Sequence, residues 1–279
     1  MPGESSSDAL RAAEDLRGHG VASAFTMLGE AIRDVHHAEA VVEHYLDLLD
    51  EIAARGLDAE ISVKPTHLGY DLDPSVAAAS LTRLAERASQ RSTRVWLDME
   101  SSDYVDGTIA LYRELLDRFP DSGICLQAYL HRTPQDVADL LPLGASIRFV
   151  KGAYREPAHV AIQDRRRIST AFRQLALAAA RARDGARGKL VLGTHDVTLL
   201  REIDDGLRAR GGSRDDVEIE MLFGIRSADQ IALAREGFRV RTLIAYGTHW
   251  YPWFMRRLAE RPANVLFAIR NLIARRTPP

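Results

Sequence analysis

The amino-acid sequence predicts an α/β protein of the (β/α)8 TIM-type barrel class. Eight short runs rich in Val, Ile and Leu recur along the chain, separated by stretches with the period of amphipathic helices. This alternation implies right-handed parallel crossovers, and eight such units fit a chain of 279 residues. A doubly wound sheet shows the same alternation but usually carries a glycine-rich phosphate loop. Neither GxGxxG nor GxxxxGK(S/T) occurs here, so the barrel is favoured.

The apolar runs are predicted as strands, because strands of a parallel sheet are buried on both faces and read as continuous hydrophobic segments. In chain order they are Ala24–Gly29, Ile61–Pro65, Arg94–Met99, Gly123–Ala128, Ser146–Lys151, Lys189–Thr194, Val217–Leu222 and Arg239–Ala245. The segments predicted as helices are Val41–Arg55, Ser75–Gln90, Thr108–Phe119, Gln135–Leu141, Thr170–Ala182, Val197–Arg210, Ala228–Glu236, Trp253–Glu260 and Ala263–Arg275. We expect the C-terminal helix that follows the last strand to lie over the barrel mouth.

Composition restricts the class of protein. The 37 basic and 39 acidic residues give a net charge of −2, which argues against an electrostatic nucleic-acid binder. The single cysteine, Cys125, excludes a disulfide framework and indicates a reducing compartment, so a cytoplasmic protein is expected. No apolar run approaches the ~18 residues that a membrane span needs. We expect a single domain over residues 1–279, with residues 1–8 as a disordered tail.

In a (β/α)8 barrel the chemistry takes place at the carboxyl ends of the strands. The polar residues at those ends of the predicted strands are Thr26, Glu30, Lys64, His67, Asp98, Glu100, Gln127, Arg148, Lys151, His195, Asp196 and Glu220. Buried charges without partners are costly, so a rim this polar indicates a binding site rather than a packing surface.

Asp98 and Glu100 flank Met99 at the end of the third apolar run. Alternation along a strand would place both carboxylates on one side, where they could bind a metal ion or a cationic group. A salt bridge at the barrel rim, to Lys64 or to an arginine, is the simpler interpretation and is favoured.

The segment IRFVKGAY places Arg148 and Phe149 on opposite faces of a strand. Arg148 therefore points into the barrel if Phe149 packs against the helices, and an inward arginine needs an anion or an electron-rich partner. Gly152 would let another molecule approach the backbone closely. His195, in GTHD, is predicted to hydrogen-bond a ligand rather than a metal, because no second histidine lies at ligand spacing.

Arg256 and Arg257 are neighbours in the first C-terminal helix, about 100° apart around its axis. The planar guanidinium of each arginine suits a carboxylate, which accepts two parallel hydrogen bonds. A basic helix terminus at the surface explains the same pair equally well. Reasoning from the residues alone therefore ends at an anion-binding barrel enzyme without an obvious metal site.

Taken together, eight motifs resemble those of the flavin-dependent proline dehydrogenases. They follow the family's order over nearly the whole chain: FTMLGEA (25–31), ISVKPTHLG (61–69), WLDMES (96–101), CLQAYLHRT (125–133), IRFVKGAYREP (147–157), GTHD (193–196), EMLFGIR (220–226) and YGTHWYPWFMRRLAERPANV (246–265). Members of this family have a distorted (β/α)8 barrel with non-covalent FAD. They oxidise proline to Δ1-pyrroline-5-carboxylate and pass the electrons to a membrane quinone. The resemblance implies the same fold, cofactor, substrate and acceptor here.

The resemblance also implies roles for individual residues. Those expected to hold FAD are Gln127, Arg148, Val150, Lys151, Gly152, Thr194, His195 and Glu260, with Arg148 close to flavin N5, which would accept a hydride. Arg256 and Arg257 would hold the substrate carboxylate, supported by Lys64 and Asp98. Further substrate-binding positions are Tyr154, Leu222, Leu243 and Trp253. Lys64, Asp98 and Arg148 are the catalytic candidates.

Some positions depart from the family's usual pattern. Thr26 stands where an aspartate is expected, and Leu243 and Trp253 stand where pocket tyrosines are expected. The other changes are Pro65 and His67 for leucine and glutamine, DMESS for DMEDS, and Glu220 and Phe223 in EMLFG for QMLYG. Loss of a tyrosine hydroxyl removes a hydrogen-bonding group from a pocket, and tryptophan adds bulk.

Three alternatives to proline oxidation stay open. Because several departures lie near the expected substrate, the first is an FAD-dependent dehydrogenase of another cyclic or N-alkylated amino acid. The second is a non-catalytic ligand-binding barrel, against which the retained Arg148, His195 and paired arginines argue. The third is a metal-dependent barrel lyase or hydrolase using Asp98, Glu100 and His195, which is disfavoured.

The C-terminal stretch AIRNLIARRTPP mixes Ile and Arg. A helix packed on the barrel with a solvated basic tail is the favoured interpretation of this stretch. The alternative is peripheral contact with an anionic membrane at its inner face, where a quinone would be met.

Overall fold

Eight parallel strands form a closed barrel in the computed structural model, which describes residues 1–29, 32, 34–183 and 187–250. The strands β1 to β8 are Ala22–Met27, Ala59–Val63, Val95–Leu97, Gly123–Gln127, Ser146–Val150, Leu190–Gly193, Glu218–Leu222 and Val240–Tyr246. Each strand pairs with the next in the chain, and β8 pairs with β1 from Ala22–Arg241 to Met27–Tyr246. The predicted fold class is confirmed.

The helices alternate with the strands and cover the outside of the barrel. Helices α1 to α8 are Ser6–Arg17, Val35–Ala54, Pro74–Gln90, Val105–Arg118, Thr133–Leu140, Arg165–Ala182, Val197–Arg208 and Ser227–Arg235. The predicted helices Trp253–Glu260 and Ala263–Arg275, and with them the expected helix over the barrel mouth, lie outside the described residues. Among the described residues, none of the helices combines the length and the apolar character that a membrane crossing requires.

Helix α1 precedes the barrel and is absent from the helices that the sequence pattern predicts. The Ser5 side chain accepts a hydrogen bond from the backbone of Asp8, and the Asp8 carboxylate accepts one from the backbone of Ser5. This reciprocal capping box starts the helix at Ser6. Residues 6–8, expected within a disordered tail, therefore form its first turn, and the helix packs against β1 and β8.

Charged side chains occupy the barrel interior at the amino ends of the strands. We call this group the basal ionic cluster; its members are Glu60, Lys189, Glu218 and Arg241. Lys189 Nζ lies 2.9 Å from Glu60 and 2.8 Å from Glu218, and Arg241 Nε donates to Glu218 at 2.7 Å. Because β2 and β7 are not neighbours, these contacts cross the barrel. The candidate site lies at the opposite ends of the strands.

Candidate active site

A cavity of about 920 Å³ lies at the carboxyl ends of the strands. Its lining includes all twelve predicted site residues in the described part of the chain: Lys64, Asp98, Gln127, Arg148, Val150, Lys151, Gly152, Tyr154, Thr194, His195, Leu222 and Leu243. The other four, Trp253, Arg256, Arg257 and Glu260, lie outside the described residues, as does Glu30. Residues of β4, β5, β7 and β8 and of the segments that follow β2, β3, β5 and β6 therefore meet at one place, as the strand-end rule predicts.

Arg148 is a buried arginine that points into the barrel from β5. Phe149 packs on the other side of the strand against Phe172 of α6, with ring centroids 6.5 Å apart, so the predicted orientation is observed. Arg148 Nη1 donates to Glu220 at 2.8 Å and Nη2 donates to Ser62 Oγ at 2.6 Å. Burial acts to lower the pKa of Arg148, but Glu220 and Asp98 outweigh it and hold the pKa above its ordinary value. The guanidinium is therefore a fixed positive charge.

Asp98 connects Arg148 to Lys64. Its Oδ1 accepts from Arg148 Nη2 and from Ser62 Oγ, and its Oδ2 lies 3.4 Å from Lys64 Nζ. Burial acts to raise the pKa of Asp98, but Lys64 and Arg148 hold it below its usual value, so the carboxylate is ionised at neutral pH. The favoured prediction, a salt bridge at the rim, describes this group.

Glu100 is not among the residues that line the cavity with Asp98, although strand alternation led us to expect the two carboxylates together. Strand β3 ends at Leu97, so the two-residue period does not reach these carboxylates. Glu100 instead accepts hydrogen bonds from the backbone and hydroxyl of Thr66, at 3.1 and 2.7 Å. No group of three or more potential metal-ligating side chains occurs in the described residues.

Glu220 carries a carboxylate that is only half satisfied. Its Oε1 accepts from Arg148, whereas Oε2 has no hydrogen-bond partner within the described part of the chain. The side chain is 4% exposed and lines the cavity. Burial raises the pKa of Glu220 above its usual value, because Arg148 opposes it only in part and Glu60 and Glu218 add repulsion.

The rim of the cavity is rich in positive charge. Among the described residues, six Lys or Arg side chains but only three Asp or Glu side chains line it. Lys151 Nζ donates to Asp196 and to Ser169, each at 2.9 Å. Arg226 donates to the carbonyl oxygen of His195 at 2.9 Å. Such an excess of cations in a concave site attracts anionic ligands.

Gln127 and Gly152 fix the loop that follows β5. The Gln127 amide donates to the Glu100 carbonyl at 2.8 Å and accepts from the Ala153 backbone at 3.3 Å. Gly152 has a φ of 125°, and a Cβ there would lie 2.4 Å from the Tyr129 ring. The Tyr129 side chain alone requires a glycine here, and the approach of a ligand to this backbone stays a prediction.

Several residues of the site were missed by reasoning from the sequence. Ser62 does not line the cavity but contacts Arg148 and Asp98, and its place two residues before Lys64 is a signal that alternation offered. Arg165 and Arg166 open helix α6, and Arg226 follows β7. All three lie further along the chain from the preceding strand than the polar residues predicted at the strand ends. His67, by contrast, was considered but is not among the residues that line the cavity; a Cβ on Gly29 would meet its ring at 2.3 Å.

Fold and site together define a (β/α)8 barrel with a cation-rich cavity at the carboxyl ends of its strands. The family model described as proline dehydrogenase matches residues 9–270. The chain belongs to the proline dehydrogenase family and is an oxidoreductase.

Individual relatives agree with this assignment. Proline dehydrogenase 1 of Bacillus subtilis subsp. natto is 32% identical over 273 residues, which is 98% of this chain and 89% of the relative. Proline dehydrogenase of Deinococcus radiodurans is 33% identical over 278 residues, 98% of this chain and 88% of the relative.

A solved structure is similar in fold. Proline utilization A (PutA) from Bdellovibrio bacteriovorus, inactivated by N-propargylglycine, superposes with a TM-score of 0.83 at 20% identity. The match covers 92% of this chain but only 32% of that longer protein.

Proposed function

We propose that the protein oxidises proline to Δ1-pyrroline-5-carboxylate with bound FAD as the electron acceptor, and that the electrons pass on to a quinone. The observation that carries this proposal is the cavity itself, in which the buried Arg148 lies beside Asp98 and Lys64 at the strand ends of a barrel of this family. The quinone and a cytoplasmic location rest on the family resemblance and on the single cysteine.

The residues present fit FAD. The cofactor carries two phosphate groups, and Lys151, Arg165, Arg166 and Arg226 supply cations on one side of the cavity. A volume of about 920 Å³ lies near the upper end for small-molecule sites, as a large ligand requires.

The residues that would hold FAD are Gln127, Arg148, Val150, Lys151, Gly152, Thr194 and His195, with Glu260 expected from the sequence. When bound, FAD supplies the acceptor for a hydride.

Lys64 would bind the substrate carboxylate. An ammonium group has three donors, and its contact with Asp98 leaves others for a ligand. Asp98 orients the ammonium by accepting one of its hydrogen bonds. Leu222 and Leu243 line the cavity with apolar surface that excludes water from the reacting carbon. Arg256 and Arg257 stay predictions for the same carboxylate.

One observation favours a second candidate, the oxidation of another cyclic or N-alkylated amino acid. Leu243 lines the cavity at a position where the family resemblance leads us to expect a tyrosine. Without that hydroxyl, a substituent on the substrate nitrogen or ring meets an apolar wall instead of a hydrogen-bonding group.

The visible absorbance spectrum of the purified protein, followed by anaerobic addition of proline, tests the proposal. We expect flavin bands that bleach with proline, and bands that survive proline but bleach with an N-alkylated or cyclic analogue would favour the second candidate. Lys64→Met should keep the flavin bands and raise the proline concentration needed for bleaching by at least tenfold. Absence of flavin, even after incubation with FAD, would contradict the proposed function.

A further inference from the structure

Glu220 is the cavity residue whose arrangement the proposed function leaves unexplained. It is buried on β7, its Oε1 accepts from Arg148 at 2.8 Å, and its Oε2 has no hydrogen-bond partner among the described residues. A buried carboxylate oxygen without a donor is costly, and such groups in native proteins call for a specific reason.

A purely structural role does not account for this carboxylate. Glu218, two residues earlier on the same strand, meets Lys189 at 2.8 Å and Arg241 at 2.7 Å, so it is paired within the basal ionic cluster. Among the described residues Glu220 forms one salt bridge, with Arg148, and Arg148 already contacts Asp98 and Ser62. The charge of Arg148 would therefore be compensated without Glu220.

Asp98 and Glu220 both reduce the positive charge that Arg148 presents to the cavity. Asp98 is shared with Lys64, so one negative charge there serves two cations. Glu220 is not shared in this way, and its unpaired oxygen belongs to a residue that lines the same cavity. Inside a barrel the local dielectric is low, so one additional negative charge strongly affects a neighbouring ligand that gains electrons.

We propose that Glu220 is a positioning residue that acts through Arg148: it fixes the guanidinium at the cavity and offsets its positive charge, which lowers the reduction potential of a bound flavin. This inference rests on the proposed function. Reduction adds negative charge to the flavin, which Arg148 stabilises and Glu220 opposes. The inference concerns the driving force of the reaction, and Glu220 itself does not exchange protons or electrons in it.

The midpoint reduction potential of FAD bound to the holoenzyme, measured by equilibration with a reference dye, tests this inference. Glu220→Gln removes the charge, keeps the volume and retains an amide oxygen that accepts from Arg148. We expect a positive shift that corresponds to at least a tenfold change in the two-electron equilibrium, or about 30 mV. Glu220→Asp, which keeps the charge, should stay close to the wild-type potential.

Glu218→Gln is the matched control, because it removes the same charge from the same strand but lies in the basal ionic cluster, away from the cavity. For this variant the two-electron equilibrium constant of the bound flavin should stay within threefold of the wild-type value. Should Glu220→Gln be recovered unfolded, Glu220→Met provides a neutral side chain of similar volume for the same measurement.

The outcomes separate this inference from the proposed function. Wild-type protein that does not bind FAD would overturn the proposed function and the inference with it. FAD that binds with the same potential in wild type and in Glu220→Gln would overturn the inference alone. An equal shift in Glu220→Asp and Glu220→Gln would also overturn it, since shape rather than charge would then be responsible.

Discussion

A single arginine side chain connects opposite sides of the candidate site. Arg148 on β5 contacts Ser62 of β2, Asp98 after β3 and Glu220 of β7, and its guanidinium lies 5.0 Å from the centre of the Trp96 ring. Hydrogen bonds between charged groups are among the strongest in proteins and are directional. The guanidinium is thus held in place before any ligand binds, which is the condition for electrostatic preorganisation.

Gly152 is a residue of the site at which both the backbone conformation and a close neighbour oppose a side chain. We expect Gly152→Ala to destabilise the protein by about 2–4 kcal/mol, because a φ of 125° is strained for alanine and the new Cβ meets Tyr129. Gly237→Ala is the matched control, since φ there is 88° and no atom lies within 4 Å of a Cβ. It should cost only about 1 kcal/mol. Urea unfolding measures both, and equal costs would contradict the role of Tyr129.

At the scale of the elements, the hydrophobic pattern predicts where strands lie better than where they begin. The predicted fourth and fifth strands start where β4 and β5 do, at Gly123 and Ser146. The first starts two residues late, because β1 pairs with β8 from Ala22 onwards and a hydrophobic pattern does not report pairing. Helix α1 was missed because its start depends on a hydrogen-bonded cap in a polar segment.

The rim residues of the candidate site were predictable because a general rule places them at strand ends. Their partners were not, since contacts such as that of Glu100 with Thr66 depend on loop paths that periodicity does not contain. The basal ionic cluster was missed for a similar reason. Glu60 and Arg241 lie within apolar strands, and only the closed barrel brings them within 3.3 Å of each other.

The basal ionic cluster makes stability depend on pH. Burial acts to raise the pKa of Glu60, but Arg241 and Lys189 lower it from 4.5 to about 2. Ionised Glu60 therefore stabilises the folded state above the ordinary pKa of 4.5, and this contribution is lost as the pH falls from there to about 2. Glu60→Gln should cost about 3–5 kcal/mol at pH 7, because it leaves buried cations underpaired.

The penalty of Glu60→Gln should shrink by pH 3.5, because below pH 4.5 Glu60 takes up a proton in the unfolded wild-type protein while folded Glu60 stays ionised, which lowers the stability of the wild type. Urea unfolding of both proteins at the two pH values measures the difference. Glu39→Gln, which alters an exposed pair between Glu39 of α2 and Arg83 of α3, should change stability by less than about 1 kcal/mol at either pH. A penalty for Glu60→Gln that is equal at both pH values would contradict the depressed pKa.

The whole molecule divides its charges between the two ends of one barrel. The basal ionic cluster pairs its carboxylates and cations with each other, whereas the cavity end has more cations than carboxylates among the described residues. The first arrangement stabilises the closed sheet, and the second leaves positive charge for a ligand. Binding of an anionic cofactor should therefore stabilise the protein as a whole.

Cofactor binding should appear as a shift in the thermal unfolding midpoint. FAD at 100 times its Kd adds about 2.7 kcal/mol, which corresponds to roughly 5–10 °C for a domain of this size. Replacing Arg165 and Arg166 together by alanine should weaken FAD binding about tenfold and reduce the shift at the same FAD concentration. Arg173→Ala is the control, because this exposed residue of α6 pairs with Glu202 and does not line the cavity.

Added salt discriminates further between these variants. Salt screens exposed charges, so it should reduce the FAD-induced shift more in wild type and in Arg173→Ala than in the Arg165/Arg166 double variant. Equal shifts in all three proteins, at low and at high salt, would show that the cations opening α6 do not face the cofactor. The cations that face the cofactor would then be Lys151 and Arg226.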